Sequence, residues 1–144
     1  LFSPEETVPR AQVVTFLWRA AGKPAPESAE NRFTDVSPEE YYYDAVLWAV
    51  ENGITVGTED TLFSPDELCT RAQIVTFLAR FAGVSDTTTD SVFEDVAADD
   101  YFAAAVKWAV DNGITFGTDE THFSPDENCT RAQAVTFLFR WMTK

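Results

Sequence analysis

Apolar residues along this chain recur at helical spacing in short stretches separated by polar turns. Ala45, Trp48 and Ala49 lie at i, i+3 and i+4, one face of a helix. Ala105, Trp108 and Ala109 repeat that face. These stretches predict helices over about 42–52 and 101–112, closed by Gly53 and Gly113. Ile74, Val75, Leu78 and Phe81 form a wider apolar stripe, which predicts a second kind of helix from Thr70 to Gly83. Thr70-Arg71-Ala72-Gln73 reads as its capping box: Thr70 accepts from the third helical amide and Gln73 reaches back to the cap. Thr130-Arg131-Ala132-Gln133 repeats the box, whereas Pro9 stands in the threonine's place before Arg10. Val-Thr-Phe-Leu is partly β-branched and favours a strand locally, but the box and the helical spacing outweigh it. Gly-Ile-Thr-x-Gly-Thr, an acidic turn and Phe-Ser-Pro join the two helices as an ordered loop with room for one short β pair.

The same pattern returns along the chain. Segments 1–22, 62–83 and 122–143 align without gaps, and so do 33–60 and 93–120. Arg10, Arg71 and Arg131 mark spacings of 61 and 60 residues. The organisation is the second half of one unit (1–22) followed by two complete units (33–83 and 93–143). Polar linkers (23–32 and 84–92) join them. The fold class is all-α, built of tandem two-helix units. Each second helix has an apolar face too wide to bury within one such unit. The helices near 10–21, 71–82 and 131–142 are therefore expected to meet around an approximate threefold axis. Segment 1–22 has no first helix of its own among these residues and has lost the threonine cap, so it is expected to be the least protected.

Composition narrows the function classes. Twelve Phe, 4 Trp and 4 Tyr supply a core, so wholesale disorder is excluded. Ten Lys and Arg face 24 Asp and Glu, a formal charge of −14, and a field of that sign opposes nucleic acid. No apolar run is long enough for membrane insertion. The start, Leu-Phe-Ser-Pro without Met, lacks a secretion-signal profile and reads as an internal piece or a processed product. One His and two Cys leave little for a metal centre or a nucleophilic triad. The acidic loops at 57–67 and 117–127 do not match an EF-hand and read as solvated carboxylates, so neither a metal nor a cofactor is expected. His122 replaces Leu62 of the previous unit and reads as a substituted packing residue. Cys69 and Cys129 share a position with Val8, which suggests a small buried site with reduced thiols. A disulfide would need alpha carbons within about 6 Å, a separation available only near a symmetry axis.

The ordered set Phe-x-Asp-Val, Ala-Val-x-Trp-Ala, Asn-Gly-Ile-Thr-x-Gly, Phe-Ser-Pro and Thr-Arg-Ala-Gln resembles the S-layer homology (SLH) repeat of bacterial surface proteins. The resemblance covers nearly all of the chain outside the linkers. It implies a pseudo-threefold packing of repeats and a location at the bacterial cell surface. It also implies non-catalytic anchoring to secondary cell-wall polysaccharide, often an anionic, pyruvylated one, through grooves between repeats. The family's usual Thr-Arg-Ala-Glu is Thr-Arg-Ala-Gln here, which keeps the cap geometry and removes a negative charge. With only two Phe-x-Asp-Val segments, such grooves would be complete at fewer than three places.

Several residues carry this reading. Arg71 and Arg131, and Arg10 in the first copy, stand at helix starts, where free amides, the macrodipole and a guanidinium fork together favour an anion. The structural alternative is pairing with a nearby acid such as Asp66 or Glu67. Gln73 and Gln133 are candidates for sugar hydroxyls beside their cap role. Trp48 and Trp108 either stack on sugar faces or belong to the core. Asp35 and Asp95 accept from sugar hydroxyls or cap the turn before the first helix, and the cap is favoured. Gly57 and Gly117 serve a tight turn, with close ligand approach as the second reading. A different function class also stands: a structural interaction module, with self-association completing the first unit. A glycosidase would need two carboxylates in a singular setting, and these acids recur with the repeat.

Overall fold

The computed structural model describes residues 5–28, 30–84 and 93–143. Among these residues there are five helices and no named strand. They are α1 (Arg10–Ala20), α2 (Tyr43–Glu51), α3 (Arg71–Phe81), α4 (Ala103–Asp111) and α5 (Arg131–Met142). α3 and α5 both open with the capping box foreseen: Thr70 accepts from Gln73 N, and Gln73 accepts from Thr70 N, with the same pair at Thr130 and Gln133. α1 opens at Pro9 without a side-chain cap. Proline has no N–H to donate, so the buried Gln12 Oε1 is left without a partner. The loop's one local β pairing is an isolated antiparallel bridge between Glu59 and Leu62.

The three second helices meet at one end around an approximate threefold axis. Val8 N donates to Cys129 O (3.0 Å), Cys129 N to Cys69 O (2.8 Å), and Cys69 N to Val8 O (2.8 Å). These bonds close a ring through three equivalent residues. A second ring lies outside it: Arg10 N to Glu67 O, Arg71 N to Glu127 O and Arg131 N to Glu6 O, at 2.8–2.9 Å. Farther along the axis Val13, Leu17, Ile74, Leu78, Ala134 and Phe137 converge around a void of about 10 Å³. The wide apolar stripe thus finds its cover between units, as its width required.

α2 packs against α1, and α4 against α3. A first helix therefore docks on the second helix of the preceding unit. It also touches the second helix of its own unit. Trp48 of α2 meets Phe81 of α3 edge-on at 5.6 Å, and Arg80 donates to Ile54 O at 3.2 Å. Arg140 donates to Ile114 O at the same distance.

This offset reverses one expectation. Segment 1–22 was expected to be the least protected, yet α1 buries six residues because α2 covers it. α5 buries only Ala134 and Phe137. The reason is that cover comes from the following unit rather than from the helix's own. Amide exchange should accordingly be fastest in α5 and slower in α1 and α3; equal protection in all three would mean that α5 is covered in solution. Pro9→Thr should restore a cap and give Gln12 a donor. Those gains exceed the lost proline rigidity, so a net stabilisation of about 1 kcal/mol is expected. Thermal or urea unfolding measures it.

Candidate functional site: two grooves between repeats

The loop that follows each first helix is shaped by its own residues. Gly57 has φ +90°, and a Cβ there would lie 2.7 Å from both Leu62 O and the Phe33 ring. Gly117 has φ +97° and the same conflict with Phe93 and His122 O. Only glycine fits both the backbone conformation and the approach. Ser64 and Ser124 hold φ 60°, an uncommon conformation for a side-chain-bearing residue. Asp35 fixes that turn by accepting from Phe63 N (2.9 Å) and Ser64 N (2.8 Å). Asp95 does the same for Phe123 and Ser124. The expected cap before the first helix is therefore corrected. Each carboxylate reaches 28 and 29 residues ahead, and both of its oxygens are committed to backbone amides.

An arginine from the preceding unit then grips each loop. Arg10 Nε donates to Phe63 O at 3.1 Å, and its Nη2 lies 3.5 Å from Thr55 Oγ1. Arg71 Nε donates to Phe123 O at 2.9 Å. Each guanidinium sits between two rings. For Arg10 these are Phe63 and Phe77, with centroids at 5.0 and 5.2 Å. For Arg71 they are Phe123 and Phe137, at 4.7 and 5.7 Å. Both arginines are buried, and that desolvation lowers their pKa from the ordinary guanidinium value. Among the described residues no carboxylate lies within ion-pair distance of either guanidinium, Asp66 and Glu67 included. Arg71 Nη2 is buried without a hydrogen-bond partner.

Each of these arginines opens onto a groove. The first, about 220 Å³, is lined by Arg10, the 55–58 loop, Gln73, Thr76, Phe77 and Tyr101. The second, about 340 Å³, is lined by Arg71, the 115–117 loop, Gln133, Thr136, Phe137 and Arg140. Gln73 and Gln133 thus stand beside the grooves while their side-chain oxygens hold the capping boxes. Gly57 and Gly117 line them as well. A groove of this make-up offers a desolvated cation, threonine hydroxyls and ring faces, the components that bind an acidic, hydroxyl-rich ligand.

Other candidates lie elsewhere. Trp48 is buried in the core against Phe81, and Trp108 is half-buried; neither lines a groove. The exposed rings beside the grooves are Tyr101 and Phe116 instead. A signal for Phe116 was present: an apolar residue at the variable position of Ile-Thr-x-Gly, where the previous unit has Val56. Arg131 lines neither groove, and its Nη1 lies 3.5 Å from Glu6 Oε2. The helix starts also differ from expectation. The first amides of α1 and α3 are taken by the carbonyls of Glu67 and Pro65, and of Glu127 and Pro125, so free amides do not form an anion site.

A model of the S-layer homology domain matches residues 32–75 and 92–135. The chain belongs to the S-layer homology family. It is 30% identical over 141 residues to the surface-layer 125 kDa protein of Lysinibacillus sphaericus, covering 94% of this chain and 12% of that protein. It is 31% identical over 118 residues to a cell surface protein of Thermoanaerobacter kivui, covering 78% of this chain and 16% of that one. An endoglucanase of Bacillus sp. (strain KSM-635) is 30% identical over 116 residues, 79% of this chain and 12% of the enzyme. The SLH chain thus spans less than a fifth of the length of these relatives. Family and relatives place it at the bacterial cell surface.

The cysteines of the SLH repeat lie in the ring at the axis, both buried and both free. Burial pushes the Cys129 thiol up to about 12 and raises Cys69 as well, so neither is a reactive thiolate. His122 departs from its expected packing role. It is exposed, with Nδ1 3.1 Å from Asp119 Oδ1 and Nε2 3.6 Å from Glu94 Oε2. The hydrogen bond to Asp119, and then its charge, raise the histidine pKa above 6.5. Its raised folded-state pKa means that this contribution to stability is complete below the unfolded pKa and is lost as pH rises through the folded one. An NMR titration should show His122 protonating above 6.5, and Asp119→Asn should return it towards that value.

Proposed function

We propose that the chain is a non-catalytic module that anchors a surface protein to the cell wall by binding secondary cell-wall polysaccharide in its two grooves. The observation that carries this reading is Arg71: a buried cation, its Nη2 without a hydrogen-bond partner, opening onto the larger groove. A carboxylate on the polymer would take that donor and stand between the guanidinium and Arg140. Tyr101 and Phe116 present ring faces for sugar C–H groups. Arg10 offers the smaller groove a similar but more satisfied cation. With a formal charge of −14 the chain repels polyanions at long range, so binding rests on this local geometry. Among the described residues the groove linings contain no carboxylate pair of the kind glycoside hydrolysis uses, and Asp35 and Asp95 serve the loops.

Calorimetry against purified wall polysaccharide at two salt concentrations tests the proposal. Loss of a charged hydrogen bond corresponds to about 1.5–3 kcal/mol, so Arg71→Ala should weaken binding about tenfold or more. Arg71→Lys should weaken it less, because the ammonium keeps the charge but loses the planar fork. Gln133→Glu, which restores the family's usual residue, should change binding less than either. Folded Arg71→Ala protein that binds as tightly as the parent would overturn the arginine–carboxylate mechanism and leave the interaction-module reading as the stronger one.

A further inference from the structure

The two groove loops are held from behind by different chemistry. In the second unit Arg32 holds the loop. It donates to Asp60 O at 3.0 Å and to Val56 O, and its guanidinium lies 4.5 Å from the centroid of the Phe33 ring. An exposed arginine keeps its charge at any pH a folded protein meets. The third unit has Val92 at that position. Three more positions differ alongside it: Leu62, Thr34 and Glu59 are replaced by His122, Glu94 and Asp119.

These three replacements meet in space. His122 Nδ1 lies 3.1 Å from Asp119 Oδ1, and its Nε2 lies 3.6 Å from Glu94 Oε2. The charged groups that act on the ring, Asp119, Asp95 and Glu94, are all acidic. Asp119 belongs to the loop. Glu94 belongs to the segment ahead of α4, and its amide donates to Thr121 O at 2.7 Å. A neutral imidazole has one N–H, so it serves one carboxylate and leaves a lone pair at its other nitrogen, where Thr121 Oγ1 stands 2.9 Å from Nδ1. Only the imidazolium donates to both carboxylates at once. The loop backbone carries this tie to the groove. His122 O accepts from Thr118 N at 2.9 Å and is one of the atoms that leave no room for a Cβ on Gly117. Gly117 and Phe116 line the larger groove together with Arg71.

We infer that the larger groove is pH-responsive: protonated His122 ties its loop to the 93–96 segment, deprotonation releases the tie, and the smaller groove has no such response. The consequence for ligand binding rests on the polysaccharide reading, whereas the response of the loop does not. The tie favours the protonated ring, which raises the folded-state pKa. Its contribution is therefore complete below the unfolded pKa of about 6.5 and is lost as pH rises through the higher folded value. The ring is exposed, so the effect is small and weakens with added salt.

The chain has one histidine, and no other side-chain type ordinarily titrates between about pH 5.5 and about pH 8. Amide protection factors, which remove the intrinsic pH dependence of exchange, are measured at those two values in the parent and in His122→Leu. Leucine occupies this position in the second unit and His122 is exposed, so the variant should fold. In the parent, Glu94 and Thr118 should be about twofold or more better protected at the lower pH. Thr34 and Thr58, their counterparts on the smaller groove's loop, should not change. His122→Leu should remove the difference, and Glu94→Gln should reduce it, because the ring keeps Asp119. Equal protection at both pH values in the parent would overturn the inference, and so would a difference that persists in His122→Leu. Calorimetry against purified wall polysaccharide at the same two pH values reads the consequence. The parent should bind about twofold or more tightly at the lower pH, and His122→Leu equally at both. A loop response without any change in binding would overturn the regulation of the groove. If Arg71→Ala binds as tightly as the parent, the reading of the groove itself fails, and the exchange measurement still decides the behaviour of the loop.

Discussion

Everything else in this molecule depends on a ring of three backbone hydrogen bonds, Val8 to Cys129, Cys129 to Cys69 and Cys69 to Val8. Each residue gives its amide to one neighbour and its carbonyl to the other. The ring sits where three segments enter their helices. It therefore sets the position of all three second helices at once. Side chains at the ring are valine and two protonated cysteines, small and apolar enough to let the backbones approach. The outer ring then takes the amides of Arg10, Arg71 and Arg131, so the helix starts are satisfied by neighbouring units rather than by water or ligand.

The sites inherit that arrangement. With their backbone amides fixed by the next unit, Arg10 and Arg71 turn their side chains into the adjoining loops. There each meets a phenylalanine carbonyl and two rings. The loop in turn needs Asp35 or Asp95 to hold a left-handed serine, and glycine to let Phe33 or Phe93 approach. A cation is thereby buried in a chain of strongly negative overall charge, without an acidic partner among the described residues. Desolvation makes that arrangement costly unless an anion joins it.

Much of this was legible in the residues. Helical spacing located all five helices to within one or two positions, and the capping boxes at Thr70 and Thr130 gave two of their starts. The convergence of the second helices followed from the width of their apolar stripe. The misreadings have a common physical source, because they concern partners distant in sequence. Asp35 looked like a local cap, but its partners lie 28 and 29 residues on. Trp48 could not be assigned to core or groove until Phe81 was known to lie against it. Tyr101 belongs to a groove whose other walls come from different units. Nor could periodicity say which unit covers which helix, and that decided whether α1 or α5 would be left open.

The half-step between sequence repeat and packing has a consequence for how such chains can be cut and joined. The pairs that bury one another, α1 with α2 and α3 with α4, straddle the boundaries of the sequence units. A single 60-residue unit excised at those boundaries would carry the wrong pairing: a first helix without its main partner and a second helix with its broad face bare. Excision across the linker, from the Phe-Ser-Pro turn to the next Gly-Ile-Thr, would keep the larger contact intact. Gene duplication is indifferent to this choice, since a period of 60 copied from any starting point restores every contact inside the array.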